Sequence, residues 1–524
     1  MRRVAILAAF ALASRTAYAI EFGQSGPVVD VTSTTKPAWH GDNGDHTLCN
    51  DDYASLFEWF NAIGSYGPFS AWLRLDGAYF FSTAPLDLPS NDPTDTSPRC
   101  LSADYQNRFA QGFVPEKLNL RYAGDHADVT AGDSYLQFGR GLALSIRKVD
   151  ELGVDTTLRG ANTILRLGPV EATLVGGVTN NTNTDEATGL HADDFNDLVA
   201  GGHVDVGLFD RLRLGGHGVM VRFRDPWILV GPTIEAPRLF SNLGVFLEGV
   251  HQRRQSTTGG TETGNGFYGA VTAYKGPATV LLEGKVYGDL AVVQPPQSAI
   301  ENQEFKTVRY AVPPTSERLF QPLEDPQNNI HGGRAKLDWR FNSSITAFAN
   351  YGLFEQKSNQ GAIEFPGTIH DPYTGADVRW NDGRSQGTLT AGSRYVFDDG
   401  TSRSDIHAEA EVTQVLPRAF SLKGKVSNRE RYQRLTRRDW REGTLQLEAK
   451  WKSVLGVAAI VDYTTDPTQP DTWYPGGAIH WMPANWATFD LFAGARAGGL
   501  KCVSGVCRVF PAFEGAELTA TIRF

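Results

Sequence analysis

The last nine residues, Ala516 to Phe524, alternate strictly between apolar and polar side chains. Ala516, Leu518, Ala520, Ile522 and Phe524 share one face, and Glu517, Thr519, Thr521 and Arg523 share the other. A strand with lipid on one side and water on the other has this pattern. The same alternation recurs upstream, and past the leader no apolar stretch approaches the roughly 18 to 20 residues of a spanning helix. Only a closed barrel can then cross a membrane, because lipid leaves no partner for an open sheet edge. A mean hydropathy of −0.29 agrees, since every second residue of such a wall faces water.

At the other end, Arg2 and Arg3 precede the apolar run Val4 to Ala13, and Ala17-Tyr18-Ala19 supplies a small-x-small site. The expectation is a signal peptide over 1–19, with a barrel over 20–524 as a single domain without a separate plug. The first 19 residues hold three of the 49 basic residues and none of the 59 acidic ones, leaving 46 bases against 59 acids and a formal charge of −13. That balance disfavours a nucleic-acid partner.

Strands are expected near 28–34, 55–66, 69–82, 115–123, 127–139, 157–168, 170–179, 198–208, 210–224, 228–236, 240–252 and 266–275. The second half adds 277–291, 331–341, 343–356, 373–380, 386–397, 402–414, 418–430, 443–452, 454–464, 474–482, 486–497 and 515–524. The fold class is all-β: a large transmembrane antiparallel up-and-down β-barrel of about 24 strands, within a range of 20 to 24. Tight turns such as Gly67-Pro68, Gly168-Pro169 and Gly276-Pro277 mark the periplasmic end. Long loops near 35–54, 83–114, 180–197, 253–265, 292–330, 357–372, 431–442 and 498–514 mark the extracellular end.

With a turn at Leu416-Pro417-Arg418, Glu411 faces Lys423 and Glu409 faces Lys425 on the inward side, while Val412 meets Leu422 and Ala408 meets Val426 on the outward side. The lumen-lining candidates are these four charged residues with Glu448, Lys450, Arg334, Lys336, Asp338, Arg340, Glu283 and Lys285. Either they set the field of an aqueous pore or they neutralise one another on a wall that must be polar anyway. Arg429, Arg431, Arg434, Arg437, Arg438 and Arg441 cluster around Tyr432 and Trp440 as a candidate anion-binding loop; contact with lipopolysaccharide phosphates is the plainer reading. His203, Asp205 and His217 fall on one hairpin, with the two imidazoles roughly opposite. Cys502 with Cys507, and Cys49 with Cys100, can form external disulfides. No metal, cofactor or catalytic constellation is expected, so the chain does not read as an enzyme.

The stretch Tyr135 to Ala161, with Phe138-Gly139-Arg140-Gly141-Leu142-Ala143-Leu144-Ser145 and Val149-Asp150-Glu151-Leu152-Gly153-Val154, resembles a segment of an uncharacterised family of large Gram-negative outer-membrane barrel proteins. The resemblance implies the fold and an outer-membrane location, and carries no assigned activity. The glycines and arginines there interrupt the alternation, consistent with a segment bending into the lumen or with a bulged strand. The leading functional expectation is a passive or substrate-selective, porin-like channel for small polar solutes. A scaffold that houses a lipoprotein, export component or surface complex is the alternative, since a bore of this size is rarely left open. The expected partners are outer-membrane lipid, lipopolysaccharide and, through the C-terminal strand, the barrel-assembly machinery.

Overall fold

The computed structural model describes residues 20–21, 26–44, 51–81, 109, 111–191, 193–209, 211–255, 259–294, 308–314, 329–357, 367–398, 402–434, 437–467, 469–503 and 506–524. The expected leader, Cys49 and Cys100 lie outside these residues. Alternation builds one closed antiparallel wall. Its strands are β1 (Val28–His40), β2 (Tyr53–Tyr66), β3 (Phe69–Phe81), β4 (Gly112–Ala123), β5 (Ala127–Ser134), β6 (Val154–Leu167), β7 (Val170–Asn181), β8 (Leu198–Leu208), β9 (Leu212–Arg222), β10 (Pro226–Leu239), β11 (Leu243–Gln255) and β12 (Thr261–Lys275). The wall continues through β13 (Ala278–Gly288), β14 (Ile330–Arg340), β15 (Ile345–Gln356), β16 (Gly367–Trp380), β17 (Ser385–Asp398), β18 (Arg403–Val415), β19 (Phe420–Gln433), β20 (Arg438–Trp451), β21 (Leu455–Thr464), β22 (Trp473–Ala484), β23 (Ala487–Arg496) and β24 (Phe513–Arg523). Each strand pairs with the next, and β24 closes on β1 with Thr32 opposite Arg523 and Ala38 opposite Glu517.

The outer wall shows what solvent it meets. Leu282, Val286, Leu337, Leu422, Val426, Leu445, Leu447 and Val457 stand exposed on it. Tyr66, Phe69, Tyr122, Trp339, Phe420, Trp451 and Trp481 are exposed near the short-turn end, and Trp39, Tyr79, Phe81, Phe397 and Trp473 near the long-loop end. An apolar belt between two aromatic girdles on a closed, even-stranded barrel identifies an outer-membrane protein.

All 24 expected strands are present; those expected at 266–275 and 373–380 begin earlier, at Thr261 and Gly367, the expected loop 498–514 holds a short hairpin, and four further details differ. The first runs to His40, because Lys36 finds Glu517 (3.2 Å) and Glu186 (3.4 Å) as partners on the inner side instead of ending the strand. The segment expected as 431–442 outside the wall is mostly strand, leaving only residues 434–437 between β19 and β20. The β18–β19 register is shifted by two residues, pairing Glu411 with Lys425, Glu409 with Ser427, Val412 with Gly424 and Ala408 with Asn428. The cause is a longer turn that includes Ala419, with Arg418 and Ala419 in the left-handed region at φ 61° and 59°. A shift of two keeps each residue on its face. The ion pairs form diagonally, Lys423 to Glu411 at 2.9 Å and Lys425 to Glu409 at 3.6 Å.

The fourth difference matters most. The strand expected over 127–139 ends at Ser134, and the chain then turns into the lumen. At Gly132 φ is 106°, and a Cβ there would sit 2.1 Å from the Leu118 carbonyl oxygen. Gly132→Val is therefore expected to cost roughly 3 kcal/mol, lowering the urea midpoint of the folded, heat-modifiable species on gels. Gly176→Ala, at a position with open space around the missing Cβ, should leave that midpoint unchanged.

Candidate functional site

The bore has two unlike halves. Along β6 to β17 every strand turns at least one apolar side chain inward: Leu158, Val175, Val199, Val219, Leu229, Val250, Tyr268, Tyr287, Ile330, Phe354, Ile369 and Val396 are all buried. What covers them is the chain after β5. Leu136–Phe138 and Leu144–Ile146 form a small lumenal hairpin, and Phe138, Leu142, Leu144 and Ile146 pack onto that stripe. Each such buried side chain contributes about 2 kcal/mol. Residues 308–314 extend the layer: Ser145 donates its amide to the Tyr310 carbonyl (2.8 Å), Tyr310 to that of Val293 (2.7 Å) and Val312 to that of Gly141 (2.9 Å).

One wall carboxylate latches this layer. Gly139 and Gly141 take φ values of 53° and 97°, wrapping Arg140 so that its amide donates to Glu248 Oε2 at 2.6 Å. A Cβ on Gly139 would meet the Glu248 carboxyl carbon at 2.6 Å, so glycine is required both for the backbone angle and for the approach. The Arg140 guanidinium lies 4.9 Å from the Phe246 ring centroid. A second tie uses Tyr310, whose hydroxyl is 2.8 Å from Asp197 Oδ2 and 3.0 Å from Thr179 Oγ1. A third is the ion pair of buried Arg508 and Asp185, with Arg508 also donating to the Leu152 carbonyl at 3.0 Å. It joins the hairpin of Gly499–Val503 and Val506–Phe510 to the 182–197 connection, and within that hairpin Cys502 stands opposite Cys507 in register.

Along β18 to β24 and β1 the inner wall is charged. Besides the two diagonal pairs, Lys450 meets Glu448 (2.9 Å), His480 meets Asp490 (2.6 Å), and Glu517 takes both Arg496 (2.5 Å) and Lys36 (3.2 Å). A cavity of about 440 Å³ opens against Gln446, Glu448, Lys450, His480, Asp490 and Glu517. Of the other lumen candidates, Arg334 pairs with Glu283, Lys336 with Asp338 (2.9 Å), Arg340 lies exposed near the short turns, and Lys285 is buried within cation–π range of Tyr287 and Phe354.

The six arginines do not converge. Arg429 and Arg431 turn inward, each reaching Asp405 at 3.6 Å and Glu442 at 2.6 and 2.9 Å respectively. Arg441 meets Glu430 at 3.4 Å on the other face, while Arg434, Arg437 and Arg438 bound the short connection. Alternation explains the split, because neighbours along a strand face opposite sides. His203 and His217 are cross-strand partners with ring centroids 5.9 Å apart, and His203 Nε2 is 2.6 Å from Asp205 Oδ2. Phe138 of the inserted hairpin stacks on His203 at 5.6 Å, so this triad packs against the lumenal layer. Among the described residues no group of three or more His, Cys, Asp or Glu side chains has metal-binding geometry.

Glu248 was not among the sequence candidates. Its signal is the inward face of β11, where it sits between Phe246 and Val250 although charged residues alternate freely elsewhere.

Residues 102–209, which include β4 to β8 and the inserted segment, match a family described as "Family of unknown function (DUF6029)". No curated protein sequence matches the chain. Among solved structures, the chain is similar in fold to PapC in an E. coli P pilus tip assembly intermediate, with 10% identity and a TM-score of 0.48. That match covers 98% of this chain and 62% of the other. The siderophore receptor PirA from Pseudomonas aeruginosa gives 7% identity and a TM-score of 0.47, covering 95% and 80%. OccK5 (OpdH) from the same organism gives 11% and 0.39, covering 85% and 99%.

Replacing Glu248 by Ala removes the acceptor for the Arg140 amide, worth roughly 2 kcal/mol. Planar-bilayer recordings are expected to show more frequent excursions to a larger conductance. Asp197, outside the strands, is pushed up to about 6 by burial, against the lowering effect of the Tyr310 hydroxyl. A raised folded value means that its contribution is complete below the ordinary carboxylate range and is lost as pH rises through about 6. The inserted layer should therefore be quieter below pH 6 than above it, and Asp197→Asn should abolish the difference.

Proposed function

We propose that this barrel is a passive channel for small polar solutes, with the path running along the charged wall of β18 to β24 and β1. The observation that carries the reading is the division of the bore. Among the described residues, segments of the chain cover the apolar side, and the charged side opens onto a cavity of about 440 Å³. Catalysis has no part in this reading.

Acids and bases alternate along the path, with Glu409 and Glu411 set against Lys423 and Lys425, and Glu448 against Lys450. Such pairs are partly exposed to lumenal water, which screens them. The field along the passage is thus mixed in sign, which suits neutral and zwitterionic solutes and gives weak preference between small ions. The scaffold reading is less well supported, because the layer around Phe138 and Tyr310 occupies space that a housed partner would need. Lipid and lipopolysaccharide contacts at the girdles, and recognition of β24 by the assembly machinery, complete the proposal.

Purified protein in planar bilayers is expected to give stable conductance steps with a reversal potential near zero under a salt gradient. The double variant Lys423→Glu with Lys425→Glu should shift that potential toward cation selectivity. Absence of conductance from correctly folded protein, or an unchanged potential in the double variant, would overturn the assigned path.

A further inference from the structure

Among the described residues, the main-chain ladder is interrupted where β5 leaves the wall. β5 has eight residues, fewer than the roughly nine to eleven a tilted strand needs to cross a membrane. It pairs with β4 only from Asn119 to Ala123, so the upper part of β4, Gly112 to Leu118, has a neighbour on the β3 side alone. The facing strand, β6, lies past the point where β5 leaves for the lumen.

Side chains bridge the gap where main chain does not. The Leu118 amide donates to Asp133 Oδ2 (2.8 Å), and the Glu116 carbonyl accepts from Arg159 Nη2 and Asn180 Nδ2 (2.8 Å each). Lys117 reaches across to the carbonyls of Asp155 (3.3 Å) and Asn180 (3.4 Å) and to Thr157 Oγ1 (3.2 Å). Pro115 contributes no amide to the exposed edge. These bonds satisfy the Leu118 amide and the Glu116 carbonyl, which lipid would otherwise strand, and they lie outside any sheet ladder.

A β-bulge at Glu116, against Arg74 and Leu75, turns both Glu116 and Lys117 into the seam. Glu116 is 2% exposed, and neither carboxylate oxygen has a hydrogen-bond partner; its nearest cation, Lys117 Nζ, is 3.9 Å away. A buried carboxylate without a donor is costly and anomalous. On the lipid side the seam is flanked by exposed Phe113 and Leu118.

We propose that the β4–β6 seam is a lateral site for a cationic amphiphile, whose ammonium head donates to Glu116 while its alkyl tail lies along Phe113 and Leu118, and through which such molecules enter the lumen from the membrane. An apolar tail outside, a donor-starved carboxylate inside and a missing ladder between them are the three elements such a site requires.

The test uses a photoreactive dodecylamine on the full-length protein in bilayers, with a dodecanoic acid of the same design as comparison. Saturable labelling of 112–118 by the amine, about tenfold weaker in Glu116→Gln, together with block of conductance by dodecylamine added through the lipid, is the expected result. Glu116→Gln keeps the volume and removes a carboxylate that accepts no hydrogen bond and whose nearest cation is 3.9 Å away. Equal labelling by the acid, labelling spread evenly over the lipid belt, or retention in Glu116→Gln would overturn the site. Labelling without block would overturn the route into the lumen.

Discussion

Inside a bilayer no water is available to a stray amide or carbonyl, and this constraint shapes the molecule more than any single contact. It forces the sheet to close and sets β24 beside β1. It also makes the departure of the chain after Ser134 expensive unless something replaces the lost ladder. The replacements are specific: Asp133, Arg159 and Asn180 stand in for the missing main chain. The same departure delivers Phe138 and Leu144 to the inner wall, so the interrupted ladder and the filled half of the bore have one cause.

Filling half the bore changes what the protein can be. A wide ring of strands with a uniformly polar lining would leak. Here the inner faces of β6 to β17 form the floor of a small packed core, and those of β18 to β24 carry paired charges. Two solvents on the outside of the wall are familiar, whereas two on the inside require segments from distant parts of the chain to meet. The carboxylate of Glu248 and the glycines at 139 and 141 show how closely that meeting is fitted.

The strands were legible because lipid and water impose a period of two that the order of residues alone reveals. Val412 and Val426 read as outward, and Glu283, Lys336 and Glu411 as inward, from that period. Register was less legible: the β18–β19 turn depends on Arg418 and Ala419 accepting left-handed angles, which sequence does not favour. The six arginines separate because closeness along the chain is not closeness in a pleated strand. Glu116, Glu248 and Tyr310 carried no motif, since their roles arise from partners 64 to 131 residues away. The glycine-rich stretch at 139–141 gave a visible interruption without saying which wall residue it was made to grasp.

The ion pair of Arg508 with Asp185 joins residues 323 apart in sequence. Such a contact contributes nothing until nearly the whole chain has been placed, and loop-closure entropy must be met first. The hairpin that carries Arg508 therefore seats late, and the closure of β24 on β1, which spans a still longer separation, must be met as well. The protein thus spends its assembly with these two distant joins unmade, and a cell that inserts it must carry that interval each time.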